Sequence, residues 1–133
     1  MECVIDTSVL VDYILMDAEM HEKAKAGLAK IDTGFIPAVV IEELVHVLER
    51  LKLNKKALNE KIGEVLDSYE LLSIDKVTIL NAKSMIMEEG VSFKRFNDKL
   101  ILSAAKREDL QLFTFDKELI DECIINGVKP FKG

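Results

Sequence analysis

The chain alternates between short apolar runs and longer segments in which apolar residues return every three or four positions. Short apolar runs bounded by acids or turn residues are typical of buried strands, and the longer periodic segments are typical of amphipathic helices. The pattern predicts strands at residues 3–6, 34–36, 70–74, 112–115 and 127–129. It predicts helices at residues 8–15, 20–30, 38–51, 55–68, 76–89 and 98–107.

The order of these elements predicts the fold class. Strands that are apolar on both faces and separated by helices indicate a parallel sheet that is covered on both sides. We therefore expect an α/β protein, a three-layer α/β/α sandwich around a central, mainly parallel sheet of about five short strands. Neither an internal repeat nor a Pro/Gly/Ser linker interrupts the chain, so residues 1–133 are predicted to form a single domain.

Composition and charge narrow the class of protein. With 49% apolar and 32% charged residues, the chain has the profile of an ordinary globular protein. The net charge of -6 argues against binding nucleic acid through bulk positive charge, although it leaves room for a local basic patch. Cys3 and Cys123 lack the spacing of a zinc site, which favours a reduced protein. The longest apolar run, residues 36–41, is too short to span a bilayer, and we predict a cytoplasmic location.

Two aspartates stand where predicted strands end. Asp6 closes the run V-I-D, and Asp116 closes the run L-F-T-F-D. Aspartate is a preferred helix N-cap, so each residue has a purely structural interpretation. In parallel α/β sheets, however, ligands bind outside the carboxyl ends of the strands, which is where both carboxylates should lie. The position of either acid alone leaves both interpretations open.

Two further acids lie beside the apolar stripes of predicted helices. Because successive helical residues are about 100° apart around the axis, Asp98 stands at the top of its helix's buried stripe. Glu43 borders the stripe of its own helix next to Val47. A helix cap at Asp98, and a surface pairing of Glu43 with Arg50 or His46, remain as structural alternatives.

Taken together, Asp6, Glu43, Asp98 and Asp116 are four carboxylates on four different elements. Two like charges about 4 Å apart repel by about 4 kcal/mol at an effective dielectric constant of about 20. Close carboxylates must therefore share protons or hold a cation. A set of oxygen ligands alone suits Mg²⁺ or Mn²⁺. Hydroxyl groups that are candidates for orienting the carboxylates or a bound water belong to Thr7, Ser8 and Thr114.

Four segments that carry these acids resemble the PIN domain, and within it the short ribonucleases of the VapC toxin type. They are V-I-D-T-S-V-L-V-D, P-A-V-V-I-E-E-L-V-H-V-L, F-N-D-K-L-I-L-S-A-A-K and L-F-T-F-D-K-E-L, and they follow the order that the family has. The resemblance places the four acids of the family on Asp6, Glu43, Asp98 and Asp116. The chain departs from the family at Lys99, where a small residue is common, and at Leu119, where an aromatic residue is common.

The resemblance implies Mg²⁺- or Mn²⁺-dependent hydrolysis of single-stranded or looped RNA, commonly by a homodimer. It also implies a cognate antitoxin whose tail occupies the active-site groove. We therefore predict a metal-dependent endoribonuclease that is the toxin of a type II toxin–antitoxin pair. Asp6, Asp98 and Asp116 would hold the metal directly or through water, and Glu43 would complete the cluster or position the attacking water. The alternative is a PIN-fold binding module without a toxin role, such as an RNA-processing or quality-control factor.

Basic residues near the acids are candidates for contacts with RNA. Lys94, Arg95 and Lys99 flank Asp98, and Lys52 belongs to a second basic cluster. An ordinary solvated surface is the structural alternative for each of them.

Overall fold

Four parallel strands form the sheet of the protein in a computed structural model that describes residues 1–133. In chain order they are β1 (Glu2–Ile5), β2 (Thr33–Pro37), β3 (Glu70–Leu72) and β4 (Gln111–Phe113). Their order across the sheet is β3-β2-β1-β4, and every neighbouring pair is parallel. The predicted α/β class with a parallel sheet is therefore confirmed, although the sheet has four strands and not about five.

The predicted strand at residues 127–129 is wrong. The carboxyl-terminal segment does run beside β4, since the amide of Leu112 donates to the carbonyl of Lys129 (3.1 Å) and the amide of Phe131 donates to the carbonyl of Leu112 (2.8 Å). This contact stays an isolated parallel bridge between Leu112 and Pro130. The segment makes no further backbone hydrogen bond to β4, so pairing ends after these two.

Seven helices and a short 3-10 helix at Phe93–Arg95 flank the sheet. All six predicted helices are present within a few residues, and the structure adds a seventh that directly follows Asp116. None of the helices is long and apolar enough to cross a membrane. The helices are α1 (Thr7–Ile14), α2 (His21–Ala29), α3 (Ala38–Arg50), α4 (Lys55–Ser68), α5 (Lys76–Glu89), α6 (Phe96–Arg107) and α7 (Lys117–Ile125).

The core lies between the sheet and these helices as a cluster of 25 buried apolar residues. Cys3, Val4 and Ile5 of β1 are completely buried, as expected for a central parallel strand. A Cβ on Gly34 of β2 would lie 2.6 Å from the side chains of both Ile5 and Tyr69. Glycine therefore lets these side chains close over β2, and the tight packing fixes the strand ends that carry the acids.

Candidate active site

The four predicted acids line one cavity of about 320 Å³. Asp6 directly follows β1, Asp116 precedes α7, Glu43 comes from α3 and Asp98 from the first turn of α6. Four elements distant in sequence therefore converge at the carboxyl end of the sheet. The lining residues are Asp6, Thr7, Ser8, Val11, Asp12, Glu43, Val47, Asp98 and Asp116.

The side chain of Asp6 does not cap α1, although Asp6 is the N-cap residue. Its Oδ2 atom instead accepts hydrogen bonds from the hydroxyls of Ser8 (2.8 Å) and Thr114 (2.7 Å). Asp6 is 5% exposed, so these two donors compensate for most of the water that its carboxylate loses on burial. The capping interpretation of this side chain is thus wrong.

Asp116 acts as a helix cap through one oxygen and faces the cavity with the other. Its Oδ1 atom accepts hydrogen bonds from the amides of Glu118 (2.9 Å) and Leu119 (3.4 Å), at the start of α7. Its Oδ2 atom lies 4.0 Å from Nη1 of Arg95. The capping interpretation of Asp116 is therefore confirmed, and its role as a ligand stays a prediction that its place in the cavity allows.

Glu43 turns toward the cavity, where the hydroxyl of Thr7 donates a hydrogen bond of 3.0 Å to its Oε1 atom. It forms no ion pair with Arg50 or His46, so the predicted surface alternative is wrong. Burial raises the pKa of Glu43, the hydrogen bond from Thr7 lowers it, and the charge of nearby Asp6 raises it again. The net direction is upward, as expected for a carboxyl group partly withdrawn from water beside another acid.

Asp98 is the most strongly perturbed acid of the cavity. Burial raises its pKa to about 7, the guanidinium of Arg95 at 2.8 Å opposes this, and the charges of Asp6, Asp116 and Glu43 add to the rise. The arginine thus compensates only part of the negative charge. Crowded acids of this kind are common at functional sites.

Arg95 contacts acids on several elements. Its Nη1 atom lies 2.8 Å from Asp98 and 3.1 Å from Glu118, and its Nη2 atom lies 3.0 Å from Glu122. Burial lowers the pKa of Arg95, but the surrounding carboxylates outweigh that effect and raise it. As it is placed, the guanidinium contacts protein acids and not solvent alone. The predicted contact of Arg95 with RNA stays a prediction.

Lys99 cannot contact RNA as predicted, because its side chain is completely buried. Its Nζ atom lies 2.6 Å from Glu89 and 3.5 Å from Glu122, and a buried lysine requires such partners. Burial raises the pKa of Glu89, but the hydrogen bonds from Lys99 and Asn126 and the charge of Lys99 outweigh this and lower the pKa overall. The unusual lysine after Asp98 is thus explained by internal ion pairs. Lys94 and Lys52 are exposed, and their contacts with RNA remain predictions.

Two acids near the cavity were not predicted from the sequence. Asp12 lines the cavity from α1, one turn after Ser8, and burial raises its pKa. Glu122 is 8% exposed on α7 and lies between Arg95 and Lys99. Its position three residues after Leu119, on the buried face of α7, was the available signal. It was missed because that helix itself was not predicted.

The donor atoms of the cavity suit a hard divalent cation. No three of the chain's histidine, cysteine, aspartate and glutamate side chains are close enough to share one ion as they are placed. The predicted ligands are nevertheless all carboxylates that line one cavity, and burial, together with the charges of the neighbouring acids, raises the pKa of Asp98. Mg²⁺ and Mn²⁺ prefer such oxygen donors, so the residues present fit either ion.

Comparison with known proteins identifies the family. The model of the PIN domain matches residues 3–122, a range that includes all four acids, and the chain belongs to the PIN domain family. No curated protein matches the chain.

Solved structures of low sequence identity share the fold. The VapC20 toxin of Mycobacterium tuberculosis, which cleaves the sarcin-ricin loop, is 15% identical over 90% of this chain and 94% of its own, with a TM-score of 0.79. VapBC2 of Rickettsia felis, bound to a promoter DNA fragment, is 22% identical over 92% of each chain, with a TM-score of 0.71. FitAcB of Neisseria gonorrhoeae is 20% identical over 97% of this chain and 96% of its own, with a TM-score of 0.73.

Proposed function

We propose that the protein is a divalent-metal-dependent endoribonuclease that hydrolyses phosphodiester bonds in single-stranded or looped RNA. The observation that carries this proposal is the convergence of Asp6, Glu43, Asp98 and Asp116 on one cavity, where the pKa of Asp98 is raised to about 7. Membership of the PIN family and the likeness in fold to a toxin that cleaves the sarcin-ricin loop support the choice of RNA.

In this proposal, Asp6, Asp98 and Asp116 hold Mg²⁺ or Mn²⁺, directly or through water. When bound, the metal supplies a water of lowered pKa and offsets the charge that develops on the phosphate. Glu43 orients the attacking water through the oxygen that does not bond to Thr7. The hydroxyls of Ser8 and Thr114 hold the Asp6 carboxylate, as outer partners of metal ligands commonly do.

The biological role that we propose is the toxin of a type II toxin–antitoxin pair, acting in the cytoplasm. Structures of similar fold include a toxin–antitoxin complex from Klebsiella pneumoniae, together with VapBC and FitAB structures. By analogy, the partners of this chain would be a second copy of itself and a cognate antitoxin. The second candidate, a PIN-fold binding module without a toxin role, predicts an intact cavity that cleaves no RNA.

Cleavage of a mixed RNA pool with Mn²⁺, Mg²⁺ or EDTA tests the enzymatic part of this proposal. We expect cleavage by the wild type with either metal, none with EDTA, and a loss of at least about 100-fold in Asp6→Asn and Asp98→Asn. Asp121→Asn, which neutralises an exposed acid of α7 outside the cavity, is the matched control and should stay active. Equal cleavage by all four proteins would refute the assignment of the acids. Absence of cleavage by the wild type on every RNA would favour the binding module.

A further inference from the structure

A second cavity, also of about 320 Å³, lies on the other side of the segment that carries Asp116. Its wall includes Thr114, whose hydroxyl donates a hydrogen bond to Asp6 of the acid cavity, so one side chain connects the two cavities. We refer to it as the lysine cavity, because three exposed lysines stand around it. The lining residues are Met20, Lys23, Phe113, Thr114, Phe115, Lys117, Ile120, Pro130, Phe131 and Lys132.

The charge around the lysine cavity is opposite to that of the protein as a whole. The chain has a net charge of -6, yet none of the residues that line this cavity is acidic. Lys23, Lys117 and Lys132 come from α2, α7 and the carboxyl-terminal segment, and none of them has a carboxylate within 4.0 Å. Three separate parts of the chain thus place uncompensated cations around one cavity, which favours an anionic ligand.

The floor of the lysine cavity is aromatic. The ring of Phe113 packs edge-on against Phe115 (5.4 Å between ring centroids) and against Phe131 (5.0 Å). Phe115 and Phe131 are only partly buried, so part of each ring is left accessible. Aromatic surface surrounded by cations suits a nucleotide, because a base can stack on the ring while lysines bind the phosphate.

We infer that the lysine cavity binds a nucleotide of a single-stranded RNA next to the bond that is cut. This inference rests on the proposed function, because the substrate strand is taken to pass from the acids to the lysines. Lys117 directly follows Asp116, so a strand whose scissile phosphate lies at the acids has its neighbouring phosphate within reach of the lysines. The cavity thereby adds a contact to those that the sequence predicts for Lys94 and Lys52.

Binding of a fluorescent 12-nucleotide single-stranded RNA in EDTA tests the inference without any catalysis. The test variant combines Lys23→Gln, Lys117→Gln and Lys132→Gln. The control variant combines Lys76→Gln, Lys83→Gln and Lys106→Gln, which are exposed lysines on α5 and α6 and remove the same charge away from both cavities.

We expect the test variant to bind RNA about tenfold more weakly. The slope of log K against log salt should fall by about 0.7 to 1.4, since about 0.7 is lost per phosphate contact on a single strand and one nucleotide has a phosphate on each side. The control should change affinity less than about threefold. Equal losses in both variants, or unchanged binding in the test variant, would overturn the inference. The inference would also be overturned if the test variant lost its affinity for a glutamate-rich peptide but kept its affinity for RNA. The lysine cavity would then be a peptide-binding site.

The same variants separate this inference from the proposed function. A wild type that binds RNA through the three lysines but never cleaves it would refute the nuclease assignment and support the lysine cavity. A wild type that cleaves RNA, together with a test variant that binds and cleaves the same 12-nucleotide RNA as well as the control does, would support the nuclease and refute the cavity.

Discussion

The hydroxyl of Thr114 donates a hydrogen bond of 2.7 Å to Oδ2 of Asp6 and thereby joins the carboxyl ends of β4 and β1. The same hydroxyl accepts a hydrogen bond of 3.1 Å from the backbone amide of Asp116. Because a hydroxyl has one proton, its donation to Asp6 leaves its lone pairs for Asp116. One side chain therefore fixes two of the four acids.

Replacing this hydroxyl should impair cleavage more than stability. Thr114→Val keeps the shape of the side chain but leaves Asp6 with Ser8 as its remaining donor. We expect kcat/KM for RNA cleavage to fall about 10- to 100-fold, the usual effect of removing an outer partner of a metal ligand. Thr114→Ser retains the hydroxyl and should keep most of the activity. Equal rates for the valine and serine variants would contradict the role of the hydroxyl.

The sheet and the four acids were predictable because their signals are local. A short apolar run followed by aspartate, as at Asp6 and Asp116, indicates the carboxyl end of a buried strand. The stripe of α3 was enough to choose Glu43 over its neighbour, because only one helix face was in question. These predictions needed no knowledge of what packs against each element.

The surroundings of Lys99 were not predictable in this way. Helical periodicity gives it a polar position, yet α6 is buried on most of its circumference, and Lys99 meets Glu89 of α5 and Glu122 of α7. The same holds for Arg95, whose partners lie on two helices. Burial of charged side chains depends on acids that converge from distant segments, and a single sequence does not show which segments meet.

The raised pKa of Asp98 should make the metal-free protein less stable as pH rises. Its folded pKa is about 7, against 3.8 for the ordinary group, so the folded state retains a proton that the unfolded state loses between these values. The free energy of unfolding should therefore fall from about pH 4 to pH 7 and level off above. Asp98→Asn should flatten this fall in urea unfolding with EDTA, leaving a smaller slope from Glu43. An unchanged slope would refute the assignment to Asp98.

Arg95 should compete with a divalent ion for the same carboxylates. Its guanidinium lies 2.8 Å from Asp98, which we propose as a metal ligand. Arg95→Gln removes this competitor, so Mn²⁺ should bind about tenfold more tightly and contribute about 1.4 kcal/mol more to stability at saturating metal. In thermal unfolding, the rise in Tm on adding Mn²⁺ should be about 4 °C larger than in the wild type. A smaller rise would indicate that Arg95 helps to bind the metal.

Lys99 should be essential for the stability of the fold. Lys99→Met leaves Glu89 and Glu122 without their buried cation, and breaking a buried ion pair costs about 3–5 kcal/mol. Urea unfolding measures this loss, and Lys106→Met on the exposed side of the same helix should change the free energy of unfolding by less than about 0.5 kcal/mol. The double variant Lys99→Met with Glu89→Gln should recover part of the loss, because it neutralises the acid that has no other cation, whereas Glu122 keeps Arg95. Additive losses would contradict this coupling.

Two glycine-to-alanine substitutions should change stability in opposite directions. A Cβ on Gly27 of α2 would lie 2.4 Å from Cζ of Phe113, a ring that is 2% exposed and packs against Phe115 and Phe131, so the ring or the helix must shift. Gly27→Ala should therefore destabilise the protein by about 1–3 kcal/mol through overpacking. Gly63 of α4 has no atom within 4 Å of the added Cβ, so Gly63→Ala should stabilise by about 0.5–1 kcal/mol through helix propensity alone.

The same two variants also test whether a change in packing against Phe113 of β4 displaces the acids of the cavity. Phe113 directly precedes Thr114, so a displaced ring should shift the hydroxyl that holds Asp6. Gly27→Ala should lower the rate of RNA cleavage by about tenfold at temperatures where the variant is still folded, since small displacements of catalytic groups reduce rates by such factors. Gly63→Ala should leave the rate unchanged. Full activity of a destabilised Gly27→Ala protein would show that the displacement of Phe113 does not shift Thr114.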